Sequence, residues 1–137
     1  MTPIRVLFGD CDPANIVYFP NFYRWFDQAT HDLCEAAGYG LVRVRHDLHW
    51  VGFPVAEAGA RFHRPATIND WLRVETRVVA WQPRRFLLSH RVRRDGELLV
   101  DGWQTRFIGI HRADRGGRLA ALHVPDAFRA AVDAQMR

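Results

Sequence analysis

The strongest constraint on the fold is the segment FPNFYRWFDQATHDLCEAAG, residues 19–38. Its apolar residues recur at helical spacing and form one stripe, which predicts a helix of about five turns with one buried face. Pro20 suits the first turn of this helix, because its missing N–H would have no partner there. Gly38 suits the left-handed residue that follows a helix end. The members of the predicted stripe are Phe22, Phe26, Ala29, Leu33 and Ala36.

Further along the chain, the hydrophobic pattern changes to a period of two. In residues 71–81 apolar residues and Thr76 alternate with charged ones, which predicts a strand with one buried side formed by Leu72, Val74, Thr76 and Val78. Asp95 and Gly96 stand between two strand-like runs and predict a hairpin. The remaining predicted elements are a strand in 3–9, a strand in 53–66, a strand after the glycines 116–117, and a C-terminal helix with Pro125 near its start.

This order of elements predicts an α+β fold in one domain over residues 1–137. A strand and a loop precede one long helix, and about four antiparallel strands and a short helix follow, so that the helix packs on an antiparallel sheet. One helix covers only one face of a sheet. The other face and any exposed edge need another cover, which homodimerisation supplies most simply.

The composition limits the function classes. The chain is 48% hydrophobic and 25% charged, as ordinary globular proteins are. No apolar run approaches the length that crosses a bilayer. The first residues lack a charged segment followed by an apolar one, so we expect no signal peptide. Two cysteines are too few for a disulfide framework and fit a reducing compartment. We therefore expect a cytoplasmic protein with no membrane partner.

The formal charge is +4, and the chain contains 19 arginines and no lysine. Guanidinium groups pair with phosphates and carboxylates through two hydrogen bonds. These arginines are scattered from Arg5 to Arg137 without a basic helix, a basic arm or zinc-finger spacing. The distribution favours an anionic small molecule, or a merely solvated surface, over nucleic acid.

The loop DCDPAN, residues 10–15, precedes the long helix directly. The first turn of a helix carries free N–H groups and a partial positive charge, which can stabilise an oxyanion. A carboxylate just upstream could act on the same carbonyl as a general base or as a nucleophile. We interpret Asp10 as a turn or cap residue. For Asp12 both a structural and a catalytic role stay open, and the apolar run IVYF could exclude water and hold an apolar acyl group.

Other catalytic arrangements lack support. Carboxylates on both sides of Cys11 disfavour a nucleophilic thiolate. His46 and His49 are not part of a metal-binding motif, so we expect no metal. Ser89, the one serine, lacks the turn that exposes a catalytic serine. Arg84 and Arg85 lie between two strands, where they could reach an anionic ligand or simply be solvated.

The run FGDCDPANIVYFPNFYRWFD resembles the hotdog-fold acyl-CoA thioesterases, and is most similar to the 4-hydroxybenzoyl-CoA thioesterase subfamily. That group has a Gly-Asp-x-Asp-Pro-Ala-x-Ile-Val loop followed by an aromatic residue, Pro-Asn and the long helix. A looser similarity extends across residues 52–78 and 84–92 to 122–128, and so covers most of the chain. The resemblance implies a helix wrapped by a five- or six-stranded antiparallel sheet, assembly into dimers or tetramers, and a site at a subunit interface.

The resemblance also implies roles for individual residues. Asp12 matches the catalytic aspartate, which attacks the thioester carbonyl or activates water. The backbone N–H of Phe19 matches the group that polarises that carbonyl. Asp27 matches a helix residue that faces a ring hydroxyl group. Asn15 stands where the family has glycine, and asparagine tolerates the left-handed conformation well. Further substrate contacts are implied for Ile16, Phe22, Arg84, Arg85 and Arg118, with the arginines near the phosphates of coenzyme A.

The function implied by the resemblance is hydrolysis of an aromatic or short acyl-CoA to the free acid and coenzyme A. No metal or bound cofactor is expected, since coenzyme A is part of the substrate. Two alternatives stay open. One is an acyl-thioester hydratase or dehydratase, although His31 lies too far along the helix for the first turn. The other is a non-catalytic acyl-CoA-binding module.

Overall fold

A computed structural model describes residues 1–137, and its central element is the helix α1, Pro20–Ala36. Pro20 occupies the first helical position, as predicted. At the other end Gly38 has φ 89°. The N–H of Gly38 donates to the Glu35 carbonyl at 2.9 Å and the N–H of Tyr39 donates to the Cys34 carbonyl at 2.8 Å. These two bonds form a Schellman motif, and the predicted limits of the helix are therefore confirmed.

The buried face of α1 differs from the predicted stripe in its last turn. Phe22, Phe26 and Ala29 are buried as predicted, but Ala36 is exposed and Leu33 is only half-buried. The contact row follows steps of four residues, which rotate around the helix by about 40° per step because each residue turns about 100°. The row therefore moves away from Ala36, and the buried face also includes Trp25, Thr30 and Cys34.

The sheet has five strands in the order β1-β3-β4-β5-β2, and every neighbouring pair is antiparallel. The strands are β1 (Thr2–Arg5), β2 (Val55–Phe62), β3 (Trp71–Trp81), β4 (Phe86–Arg94) and β5 (Glu97–Arg106). Leu72, Val74 and Val78 are buried on β3, as the alternation predicted, and Thr76 is half-buried. One long helix packed on this antiparallel sheet is the predicted α+β hotdog architecture, which is confirmed.

Local turn chemistry sets the β4–β5 hairpin. Asp95 and Gly96 have φ 50° and 82°, both left-handed, as a two-residue type I′ turn requires. The chain then forms a two-stranded sheet from β6 (Gly109–Arg112) and β7 (Arg118–Ala121) and ends in the predicted helix α3 (Asp126–Gln135). The short helix α2 (Leu41–His46) was not predicted, because only Val44 of its six residues is buried.

The core consists of two clusters under the sheet. One lies between α1 and strands β1, β3, β4 and β5, and the other surrounds Phe128 of α3. Gly102 of β5 allows a close approach between α1 and the sheet. A Cβ atom at Gly102 would lie 2.4 Å from Cε2 of Phe26, so that only glycine leaves room for this ring.

Apolar side chains remain exposed on the outer face and at one edge of the sheet. Strand β2 pairs only with β5, so its second edge is open in a single chain. Exposed members of the sheet include Trp71, Val79, Trp103 and, on β2, Phe62. These features agree with the prediction of a homo-oligomer, which stays a prediction. None of the helices has the length and apolar character needed to cross a membrane.

Candidate active site

The acidic loop before α1 is a small hairpin held against the segment that connects β2 and β3. Cys11 and Val17 form an antiparallel bridge, and the N–H of Asp12 donates to the Ile16 carbonyl at 2.9 Å. The N–H of Val17 donates to the Ala66 carbonyl at 2.9 Å. The Thr67 hydroxyl donates to the carbonyl of Asn15 at 2.7 Å. The loop therefore has a defined conformation.

Asn15 closes the turn in a left-handed conformation, with φ 64°. The sequence predicted that asparagine would tolerate this position, and the backbone confirms it. The N–H of Asn15 donates to the Asp12 carbonyl at 2.9 Å. The N–H of Ala14 donates to Oδ1 of the Asp12 carboxylate at 2.8 Å, which makes an Asx turn. One oxygen of Asp12 is thus bound by its own loop, and Oδ2 has no hydrogen-bond partner within the chain.

Asp10 has the structural role that the sequence indicated. Its Oδ2 accepts the N–H of Leu7 at 2.8 Å, and its Oδ1 accepts Nη2 of Arg24 at 2.6 Å. The Asp10 carbonyl accepts the Asn21 side-chain amide at 2.8 Å and the N–H of Tyr18 at 2.8 Å. Asp10 is buried and ties the loop to the first turn of α1.

The start of α1 offers a free backbone donor at Phe19. Pro20 has no N–H, the N–H of Asn21 donates to the Tyr18 carbonyl at 2.9 Å, and the N–H of Phe22 donates to the Phe19 carbonyl at 3.1 Å. The N–H of Phe19 donates to no backbone carbonyl of the chain. Phe19 has helical angles (φ −55°, ψ −33°), so its N–H belongs to the positive end of the helix dipole.

A cavity of about 370 Å³ lies beside the half-exposed Asp12. It is lined by Phe8, Cys11, Asp12, Pro13, Asn15 and Ile68. Of the site residues predicted from the sequence, Asp12 and Asn15 line it. Ile16, which follows Asn15 in the sequence, is exposed. Phe22 is buried against Trp25 and Phe62 and contributes to the core.

Phe19, Tyr23, Asp27 and His31 follow one another at four-residue spacing and form a row along the flank of α1. At its start the ring of Phe19 contacts that of Phe62 on the open strand β2, with centroids 6.1 Å apart. In the next turns Oδ1 of Asp27 accepts Nη2 of Arg106 at 2.9 Å and lies 3.4 Å from Nε2 of His31. Asp27 is therefore part of an ion pair and not simply a solvated carboxylate.

The three predicted phosphate contacts lie elsewhere on the surface of the chain. Arg84 and Arg85 are exposed in the turn between β3 and β4, and Nη1 of Arg84 donates to the Ala121 carbonyl at 3.0 Å. Arg118 is exposed at the start of β7. None of these arginines lines the cavity beside Asp12 within one chain.

A buried polar network, which the sequence analysis missed, lies under α1. Nδ1 of His90 lies 2.8 Å from the Thr76 hydroxyl, and Nε2 lies 2.9 Å from Oε1 of Gln104. Burial lowers the pKa of His90 to about 4, a hydrogen bond to Gln104 opposes this, and the charge of Arg106 adds to it. The signal in the sequence was the pair Gln104 and Arg106, two polar residues at alternate positions on the buried face of β5.

One long helix in an antiparallel sheet, with an acidic loop before the helix, defines a hotdog-fold protein. The model of the thioesterase-like superfamily matches residues 6–132. The 4-hydroxybenzoyl-CoA thioesterase of Pseudomonas sp. (strain CBS-3) is 33% identical over 129 residues, 88% of each chain. The 1,4-dihydroxy-2-naphthoyl-CoA hydrolase of Synechococcus sp. (strain WH7803) is 28% identical over 138 residues, 96% of this chain and 87% of that protein.

Solved structures agree with these matches. The 4-hydroxybenzoyl CoA thioesterase from Pseudomonas sp. strain CBS-3 superposes with a TM-score of 0.88 at 29% identity, covering 95% of this chain and 96% of that one. A gentisyl-coenzyme A thioesterase gives a TM-score of 0.81 at 28% identity, covering 96% and 98%. The chain belongs to the thioesterase-like superfamily. The prediction of a thioester hydrolase is confirmed at the level of this family.

Proposed function

We propose that the chain hydrolyses the CoA thioester of an aromatic acyl group to the free acid and coenzyme A, with Asp12 as the catalytic carboxylate. The observation that carries the proposal is the arrangement at the start of α1. A loop with a defined conformation presents a half-exposed carboxylate with one unpaired oxygen, and the N–H of Phe19, at the start of the helix that follows, is free.

Two routes for Asp12 give the same products. As a nucleophile, its Oδ2 adds to the thioester carbonyl carbon, the C–S bond breaks, and water then cleaves the resulting anhydride. As a general base, Asp12 removes a proton from water, whose oxygen adds to the same carbon. In both routes the thiolate of coenzyme A leaves and is protonated. The N–H of Phe19 would stabilise the oxyanion, and a single donor of this kind contributes about 10²–10³ in kcat.

The row along α1 supports an aromatic acyl group. Asp27 lies eight residues beyond Phe19, which is about 12 Å along a helix axis. Hydrogen bonds of about 3 Å at each end leave roughly 6 Å, a length that suits a ring with a polar substituent opposite the carbonyl. The relatives named above act on hydroxylated aromatic acyl-CoAs, as their names state.

The remaining predicted residues complete the proposal. Asn15 and Ile16 would contact the acyl group beside Asp12. Arg84, Arg85 and Arg118 are exposed and can pair with the phosphates of coenzyme A. Because these arginines do not line the cavity of one chain, we propose a site between subunits of a dimer or tetramer. No metal or cofactor is needed for either route.

The test is release of free thiol from 4-hydroxybenzoyl-, benzoyl- and short aliphatic CoA thioesters by wild type and Asp12→Asn. We expect turnover to fall at least ~100-fold in the variant, the scale of a lost general base. Folding and coenzyme A binding should persist. Asp47→Asn is the matched control, because its carboxylate is exposed and contacts only His46. Full activity of Asp12→Asn would rule out the mechanism.

The same panel distinguishes the alternative functions. Loss of enoyl absorbance without thiol release would indicate a hydratase, and tight binding without either reaction would indicate a binding module. The geometry favours hydrolysis over hydration, because His31 pairs with Asp27 three turns into α1 and not at its first turn.

A further inference from the structure

The cation beneath α1 has no assigned role in the proposed reaction. Arg106 is the last residue of β5 and is only 2% exposed. Its one ion-pair partner is Asp27. Burying a guanidinium is costly unless its N–H donors are paired, so the hydrogen-bond partners of Arg106 explain why it can be buried there.

Arg106 uses its planar fork in three directions. Nη1 donates to the Phe53 carbonyl at 2.8 Å, Nε and Nη2 donate to Oε1 of Gln104 at 3.3 and 3.2 Å, and Nη2 also donates to Asp27 at 2.9 Å. Phe53 and Gln104 thus fix the plane of the guanidinium. The fork then presents Nη2 to the carboxylate on α1 in one orientation.

The rest of the network fixes Gln104 in turn. Its Oε1 accepts from Arg106, so Nε2 of His90 must donate to the same oxygen, and Nδ1 of His90 accepts the Thr76 hydroxyl. The ring of Phe26 stacks on His90 with centroids 4.6 Å apart and planes 8° apart. This neutral form of His90 suits a position close to the cation.

The two carboxylate oxygens of Asp27 have different surroundings. Oδ1 faces Arg106 and His31, while the side chain as a whole is 53% exposed. Oδ2 is therefore left as a single acceptor on the open flank of α1. An ionised acceptor favours an acyl group that carries a hydrogen-bond donor and disfavours one that carries a negative charge.

We propose that Arg106 is a positioning residue that orients Asp27 and thereby sets a preference for acyl groups with a hydroxyl at the end remote from the thioester. This inference rests on the proposed function. It adds a residue that touches no substrate atom and acts only through Asp27.

The experiment compares kcat/KM for 4-hydroxybenzoyl-CoA and benzoyl-CoA. Wild type should prefer the hydroxylated thioester by about tenfold or more, the scale of a hydrogen bond to a charged group. Arg106→Met should reduce this preference to near unity, whereas a merely structural defect would lower kcat/KM for both thioesters equally and leave the preference intact. Arg91→Met is the matched control, because Arg91 is exposed on β4 and forms no ion pair.

Two further variants keep the test decisive. Arg106→Lys retains the charge without the fork and should fall between wild type and Arg106→Met, so it answers the question if the methionine variant does not fold. Adding Asp27→Asn to Arg106→Met should cause no further loss, as expected for residues that act in series. A wild-type preference in either Arg106 variant would overturn the inference.

Binding separates this inference from the proposed function. Non-hydrolysable thioether analogues of the same two substrates, titrated calorimetrically, should show the same preference in wild type and its loss in Arg106→Met. If wild type hydrolyses neither thioester, the proposed function fails while this binding comparison still decides on Arg106. If both are hydrolysed and the preference persists in the Arg106 variants, only the present inference fails.

Discussion

Gly102→Ala should destabilise the fold, and the structure provides the magnitude. A Cβ atom at position 102 would lie 2.4 Å from Cε2 and 2.6 Å from Cζ of Phe26. Ordinary carbon–carbon contacts are about 3.5–4.0 Å, so the ring or the strand must move by roughly 1 Å. Neither moves freely, because Gly102 pairs with Ala60 on one side and His90 on the other, and Phe26 is fully buried.

Overpacking of this kind costs about 1–3 kcal/mol, and the stiffer alanine chain recovers about 0.4–1 kcal/mol through the unfolded state. We therefore expect a net loss of about 1–2 kcal/mol in the free energy of unfolding. For a chain of this length this corresponds to a decrease of roughly 3–7 °C in Tm. The residue has no left-handed φ, so backbone strain does not add to the loss.

The assay is urea and thermal unfolding at one fixed protein concentration, since association would shift both transitions. Gly9→Ala is the matched control, because a Cβ there meets no atom within 4 Å, and its stability should be unchanged or slightly higher. In the Gly102→Ala background, Phe26→Leu should cost less than it does alone. Wild-type stability of Gly102→Ala, or strict additivity with Phe26→Leu, would refute the close-packing argument.

Two further predictions concern His90 and Asp10. Because burial lowers the pKa of His90 to about 4 in the folded chain, the unfolded chain binds the extra proton first, and the stability should fall by up to roughly 3 kcal/mol between pH 6.5 and 4. His90→Gln should flatten this part of the stability profile. Asp10→Ala should lower stability by about 1–3 kcal/mol and reduce kcat, because the N–H of Leu7 loses its acceptor and Arg24 its partner. Unchanged urea midpoints and turnover in Asp10→Ala would contradict its proposed role in holding the loop.

The features that were predictable from sequence are those in which local chemistry decides the backbone. Pro20 and Gly38 marked the ends of α1, and the pair Asp95–Gly96 marked a hairpin. These residues act through φ angles and missing donors, which neighbours in sequence determine. Helix α2 escaped prediction because its packing rests on the single buried residue Val44.

In the candidate site too, the residues of one local motif were predictable from the sequence and the pair that is distant in the sequence was not. Asp12 and Phe19 lie in one continuous motif, and the hydrogen bond that holds the Asp12 carboxylate joins residues only two positions apart. The pair of Asp27 and Arg106 joins residues 79 positions apart. Its existence depends on how α1 crosses β5, and no spacing in one sequence reports that crossing. The position of Arg106 on the buried face of β5 could have indicated that it needs an acidic partner, but not which residue that partner is.

The crowding along β5 has a consequence for how this scaffold can change its substrate. Gly102, Gln104 and Arg106 occupy successive inward positions of β5. Gly102 makes room for an aromatic ring, Gln104 binds an imidazole and Arg106 binds a carboxylate. Substitutions on this strand therefore carry a large risk to folding. Variation in the acyl group should instead be accommodated at half-buried positions on α1 such as Tyr23, where a new side chain has fewer packing constraints. A library directed at altered selectivity would do best to diversify the helix and leave the strand intact.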